Sequence, residues 1–131
     1  KQGEFIVSID IPSRPPYSSD AYLRFTPRTE MDIAVVSAAV CLSLSKDKIC
    51  EKARVVLGAV APTVLFVEDA SEILVGTKLD EVSLQKMSDK CEAACNAISD
   101  KRGTISFRTE VSGVLAKRAA KIAYQRAGES S

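Results

Sequence analysis

The sequence predicts an α+β domain in which an antiparallel sheet of three to four strands is followed by three helices packed on one face of the sheet. The first half of the chain alternates apolar and polar residues with a period of two, as half-buried strands do. The second half changes to the helical period of 3.6. With 131 residues, 46% hydrophobic and 27% charged, the chain is expected to form one domain over residues 1–131 with a sizeable core.

The first two strand candidates are separated by a stiff loop. Residues 3–11 alternate, with Phe5, Val7, Ile9 and Ile11 expected to face inward, which predicts a half-buried strand. Residues 12–20 are rich in proline and serine and exclude a tight hairpin. The second strand is predicted over residues 22–26.

A hairpin is predicted next. Residues 33–44 and 53–60 both contain alternating apolar positions, and the polar turn at 46–48 joins them. Gly58 has no side chain, so a neighbouring group is expected to approach the backbone there. Pro62 is expected to end the sheet region, with one more short strand possible in residues 64–67.

Three helices are predicted in the second half. Glu68 and Asp69 suit the N-terminus of the first, and Gly76 its C-terminal cap; Asp80 caps the second. The final helix follows the charged loop at 99–104. The expected inward residues are Ala70, Ile73 and Leu74 in the first helix, Leu84, Met87, Cys91, Ala94 or Cys95, and Ile98 in the second, and Phe107, Val111, Val114, Leu115, Ala119 and Ile122 in the third.

Composition excludes several functions. A net charge of +1 argues against a general nucleic-acid binder, and no apolar run reaches the length of a membrane span. The absence of histidine rules out histidine-based acid–base and nucleophilic chemistry within the chain. The chain begins at Lys1 rather than Met, which suggests a piece of a longer protein.

The four cysteines lack the spacing of a zinc or iron–sulfur site. Cys91 and Cys95 are one helical turn apart, whereas Cys41 and Cys50 are not expected to lie opposite each other in the hairpin. The sequence therefore predicts buried free thiols in a reducing, cytoplasmic compartment and no metal site.

The segment from residue 22 to residue 36 contains the candidate site. Tyr22 and Arg24 are two positions apart on a strand, so they face outward together, and Arg28 and Asp32 lie in the charged loop that follows. An aromatic ring beside a guanidinium suits a flat, anionic or π-rich partner. The alternative is an ordinary half-buried strand whose polar face is solvated.

Five segments together resemble a known family. They are residues 22–25, 32–36, 53–63, 68–70 with 74–76, and 108–109 with 113–119, which occur in the family's order and with similar spacing. In these segments the chain resembles the C-terminal domain of the FAD-binding (medium) subunit of molybdenum hydroxylases, the carbon monoxide dehydrogenase and xanthine dehydrogenase family.

The resemblance implies a role in electron transfer. FAD would be held mainly by N-terminal FAD-binding subdomains, which are absent from this chain, and the fragment alone would bind none. The partners implied are those subdomains, a molybdenum-binding large subunit and a 2Fe-2S small subunit. Electrons would pass from molybdenum through the iron–sulfur clusters to FAD, and then to an external acceptor.

The resemblance also assigns roles to residues. Tyr22 corresponds to a side chain that packs near the flavin, and Arg24 stands where relatives often have lysine, a cation placed near a flavin carbonyl. Arg28 and Asp32 would border the flavin from the following loop. Two other functions stay open: a small-ligand domain acting alone, and a non-catalytic interaction module that uses a basic face of the last helix. That face would consist of Arg108, Lys117, Arg118, Lys121 and Arg126.

Overall fold

The computed structural model describes residues 2–29 and 33–130, which form a four-stranded antiparallel sheet and three helices. The strands are β1 (Ser18–Phe25), β2 (Val36–Leu44), β3 (Cys50–Gly58) and β4 (Leu65–Phe66), and the helices are α1 (Glu68–Leu74), α2 (Glu81–Ala94) and α3 (Ile105–Glu129). The strands lie in chain order, β1-β2-β3-β4. The predicted fold class is confirmed.

One face of the sheet is covered by the helices. Ala21, Val40 and Val55 lie in register across β1, β2 and β3, and all three are buried on this inner face. Helix α3 packs on β1 and β2, α1 packs on β3, and α2 fills the space against α1 and α3. Within the described part of the chain, no helix is long and apolar enough to cross a membrane.

Helix α3 buries a stripe of alanines together with Leu115, whereas two of its larger apolar residues are exposed. Phe107 and Val114 are each 40% exposed, so their predicted inward orientation is wrong. Small side chains let the helix backbone come close to the sheet, which the larger residues would prevent. The fully buried stripe consists of Ala116, Ala119, Ala120, Ala123 and Ala127.

Two other expectations are corrected. Helix α2 ends at Ala94, so Ile98 lies in the following loop and is exposed. Residues 3–11 form no strand, and their apolar side chains are exposed, for example Val7 at 86% and Ile11 at 90%. A strand needs a hydrogen-bonded neighbour, and β1 pairs only with β2 within the described residues.

The predicted start of α2 at Asp80, the glycine at the end of α1 and the hairpin turn are confirmed. The Asp80 carboxylate accepts a hydrogen bond from the Ser83 backbone N–H at 2.9 Å. Gly76 follows α1 with φ +80° and donates its N–H to the Cys50 carbonyl at 2.7 Å. Cys41 pairs with Arg54 across the hairpin rather than with Cys50, as expected.

Candidate functional site: the open face of the sheet

The face of the sheet opposite the helices carries the candidate site. We call it the open face and define it by three rows of residues that lie in register across the strands. The rows are Asp20, Cys41 and Arg54; then Tyr22, Ala39, Val56 and Phe66; and then Arg24, Ser37 and Gly58.

The centre of the open face contains several small residues. Ala39 lies between Tyr22 and Val56, and in the next row Ser37 and Gly58 adjoin Arg24. A Cβ added at Gly58 would lie 2.5 Å from the Ser37 Oγ, so that hydroxyl already occupies the space above the glycine. The predicted close approach at Gly58 is therefore confirmed, with Ser37 as the approaching group.

Large side chains stand at both ends of the central row. Tyr22 is 59% exposed and Phe66 is 54% exposed, and they occupy opposite ends of that row. Arg24 is exposed two positions along β1 from Tyr22. A planar group lying on Ala39 would have the Tyr22 side chain on the neighbouring strand and the Arg24 guanidinium in the next row.

The charge of the open face favours an anion. Arg24 and Arg54 are both exposed there. Asp20, the acidic residue of the three rows, forms an ion pair with Arg14 from the N-terminal segment. Since that pair offsets the carboxylate, the exposed arginines attract negative charge to this surface.

The four residues predicted for the site have different outcomes. Tyr22 and Arg24 share the open face, as expected. Arg28 is exposed in the loop after β1, and Asp32 lies outside the described residues. Contact with a cofactor stays a prediction for all four.

The basic face predicted for α3 is largely committed to contacts within the chain. Lys117 and Lys121 both form ion pairs with Glu81 at the start of α2, and these pairs hold the pKa of the Glu81 carboxyl below its usual range. Arg126 donates to the Asp20 carbonyl at 3.0 Å. These contacts join α3 to α2 and β1, so they leave less of this face available to a partner.

Arg108 was placed on that basic face by its charge, and this prediction is wrong. It is only 5% exposed, and its Nη2 donates to the Asp100 carboxylate at 2.7 Å. The burial of Arg108 could have been predicted from its position on the helix. Arg108, Ser112 and Leu115 are four and three residues apart, so they lie on one side of the helix, and all three are buried.

A cavity of about 580 Å³ lies beside Arg108, where β2 begins and β3 ends. Its walls are mostly apolar, with Arg108 and Asp100 among the few polar residues. The Asp100 carboxylate also accepts hydrogen bonds from the backbone N–H groups of Arg102 and Gly103. The Arg102 amide first, and then the Arg108 guanidinium, lower the pKa of Asp100.

The cysteines offer no metal centre. Among residues 2–29 and 33–130, no group of three or more cysteine, aspartate or glutamate side chains is placed to hold a metal ion. Cys50 and Cys91 are buried, and burial raises the pKa of their thiols to about 11 and about 12.

The structure fits the ring of FAD better than its phosphates. Exposed aromatic side chains with an arginine on the same face suit the planar isoalloxazine. The first turns of α1 and α2 contain Glu68, Asp69 and Glu81, and these carboxylates repel a pyrophosphate at the helix N-termini, where phosphates usually bind.

Comparison with known proteins points to one family. The family described as "CO dehydrogenase flavoprotein C-terminal domain" matches residues 21–123. The carbon monoxide dehydrogenase medium chain of Afipia carboxidovorans is 39% identical over 125 residues, which cover 95% of this chain and 43% of that protein. This chain therefore spans less than half the length of that relative.

Solved structures show the same architecture. A reconstituted CO dehydrogenase from Oligotropha carboxidovorans superposes with a TM-score of 0.82 and 38% identity, covering 88% of this chain and 40% of that chain. Quinoline 2-oxidoreductase from Pseudomonas putida 86 superposes with a TM-score of 0.79 and 26% identity, covering 86% of this chain and 39% of that chain.

Proposed function

Because the chain belongs to the CO dehydrogenase flavoprotein C-terminal domain family, we propose that its open face closes the flavin pocket of an FAD-carrying subunit in a molybdenum hydroxylase. The observation that supports this proposal is that the exposed side chains of Tyr22 and Arg24 share one face of the sheet, beside the small residues Ala39 and Ser37. When bound, FAD supplies the two-electron chemistry. The residues of this chain supply shape and charge.

Tyr22 and Arg24 have separate tasks in this proposal. The Tyr22 ring covers one edge of the bound flavin and excludes water from it. The Arg24 guanidinium offers charge-assisted hydrogen bonds to a flavin carbonyl, and these bonds strengthen as negative charge develops on the ring. Arg28 is proposed to act at the rim, from the loop after β1.

The proposal includes partners that this chain does not contain. FAD-binding subdomains of the same subunit would hold the phosphates, a 2Fe-2S subunit would deliver electrons, and a molybdenum subunit would oxidise the substrate. We further propose that the complex is cytoplasmic, because Cys50 and Cys91 are buried free thiols of the kind that persist in reducing compartments.

The test is the reduction potential of FAD in the full-length subunit carrying Arg24→Ala. Loss of a charge-assisted hydrogen bond worth about 1.5–3 kcal/mol to the reduced form lowers the two-electron midpoint potential by roughly 30–65 mV. Reoxidation kinetics should change as well, whereas oxidation of substrate at molybdenum should not.

Two controls make this test specific. Arg118→Ala removes an exposed arginine of α3, on the side of the domain away from the open face, and should leave the potential unchanged. Arg24→Lys keeps the charge, so its midpoint potential should lie between those of Arg24→Ala and the unchanged protein. Equal potentials for Arg24→Ala and Arg118→Ala would remove Arg24 from the flavin site.

A further inference from the structure

The start of α3 contacts the end of β1 and the residue before β2. The chain leaves the sheet after Phe25 and returns at Val35, whose N–H donates to the Phe25 carbonyl at 2.9 Å. The ring of Phe107 packs edge-to-face on Phe25, with the centroids 5.7 Å apart. Its neighbour Arg108 donates from Nη1 to the Val35 carbonyl at 2.8 Å.

The Arg108 guanidinium reaches three further acceptors. Its Nη1 also lies 3.5 Å from the carbonyl of Ala59, the first residue after β3. Its Nε lies 3.5 Å from the Gly103 carbonyl, and its Nη2 binds the Asp100 carboxylate at 2.7 Å. One side chain thus joins the start of β2, the turn after β3 and the loop before α3.

Burial of the Arg108 guanidinium is unfavourable, because the cation loses its hydration. A role other than stability is therefore expected for it. The Arg108 side chain is 6% exposed and the Asp100 side chain is 33% exposed, so the guanidinium loses most of its hydration while its partner keeps part of its own. Apolar residues of similar volume would avoid that loss, so the ion pair contributes little net stability compared with them. Apolar packing would not fix the positions of two backbone carbonyls, whereas a guanidinium with five donors in a rigid plane does so. The pair therefore fits a role in fixing geometry.

The fixed segments lie at the rim of the open face. The last complete row of that face is Arg24, Ser37 and Gly58, and the Phe25–Val36 pair comes immediately after it. The chain therefore leaves β1 next to Arg24, and the turn that begins at Ala59 leaves β3 next to Gly58, at the other end of the same row.

We propose that Arg108 is a positioning residue that sets, together with Asp100, where the chain enters β2 at Val35 and where the turn after β3 begins at Ala59, at the rim of the flavin site. The link to flavin rests on the proposed function above. The local effect on the two backbone segments does not, and it can be measured separately.

The experiment uses the FAD-loaded full-length subunit and two variants of the pair. Arg108→Met keeps much of the side-chain volume but removes all the donors. Asp100→Asn keeps an acceptor for Arg108 while removing the charge, and it serves if Arg108→Met does not fold. Arg118→Met, on an exposed position of α3, is the matched control.

Two readouts separate the local effect from the link to flavin. Amide hydrogen exchange should become roughly tenfold faster or more at residues 35–36 and 59–60 in Arg108→Met, less so in Asp100→Asn, and remain unchanged in Arg118→Met. The visible absorption and circular dichroism bands of the bound flavin should shift in the same order.

Each outcome decides a different claim. Unchanged exchange at both segments in folded Arg108→Met and Asp100→Asn would overturn the positioning role. Faster exchange with unchanged flavin spectra would overturn the link between this clamp and the flavin, and Arg24→Ala would still decide the proposed function by itself. Faster exchange together with shifted spectra, both absent from Arg118→Met, would support the inference.

Discussion

The alanine stripe of α3 makes the close packing of this helix on the sheet testable through Ala120→Leu. Ala120 is fully buried in the stripe by which the helix faces the core. Leucine adds three carbon atoms where no exposed surface exists to receive them. Overpacking of this kind costs typically about 1–3 kcal/mol in the free energy of unfolding.

The expected change in melting temperature follows from the size of the chain. An unfolding entropy of about 2.1 cal/mol/K per residue over 131 residues amounts to about 0.28 kcal/mol/K. A cost of about 2 kcal/mol therefore lowers Tm by about 7 °C. Calorimetry and urea unfolding of the same variants would measure the loss by two methods.

The matched control is Ala93→Leu, an exposed position in α2. It makes the same exchange of residue types in a helix, so intrinsic helix propensity cancels in the comparison. Surface substitutions of this kind usually change stability by no more than about 0.5 kcal/mol. If both variants unfold with the same free energy, α3 does not approach the sheet through close-packed alanine and the packing argument fails.

Two further predictions concern titration and thiol reactivity. The Ser83 backbone N–H lowers the pKa of Asp80, so the stabilisation by this cap is present at neutral pH and is lost as the pH falls through the lowered pKa. Asp80→Asn should therefore reduce the fall in Tm that acid causes. An equal fall in Tm with decreasing pH in both proteins would contradict this. Ellman's reagent should modify exposed Cys41 rapidly but Cys50 and Cys91 only on unfolding, and rapid modification of all three thiols in the folded chain would contradict their burial.

The fold class was predictable because its signals are local. Strand alternation in β2 and β3, the change to a helical period and the Asp80 cap each depend on residues close together in the sequence. The outward pairing of Tyr22 and Arg24 was predictable for the same reason, since alternate residues of any strand share a face.

Partner choice was not predictable, because it depends on distant residues. Residues 3–11 alternate as well as β1 does, yet within the described part of the chain they have no strand beside them, and their apolar side chains are exposed. Local pattern gives the capacity to form a strand, and a hydrogen-bonded neighbour decides whether one forms.

Arg108 shows the same limit for the site. Its charge indicated the surface, but its partners Val35 and Ala59 are far away in the chain and meet it only when α3 lies on the sheet. The sequence alone therefore determined the fold class, the order of the elements that form, the family resemblance and the shared outward face of Tyr22 and Arg24. The tertiary structure decided which apolar faces are buried and that the Arg108 guanidinium is buried, because burial and hydrogen-bond partners depend on residues brought together only by folding.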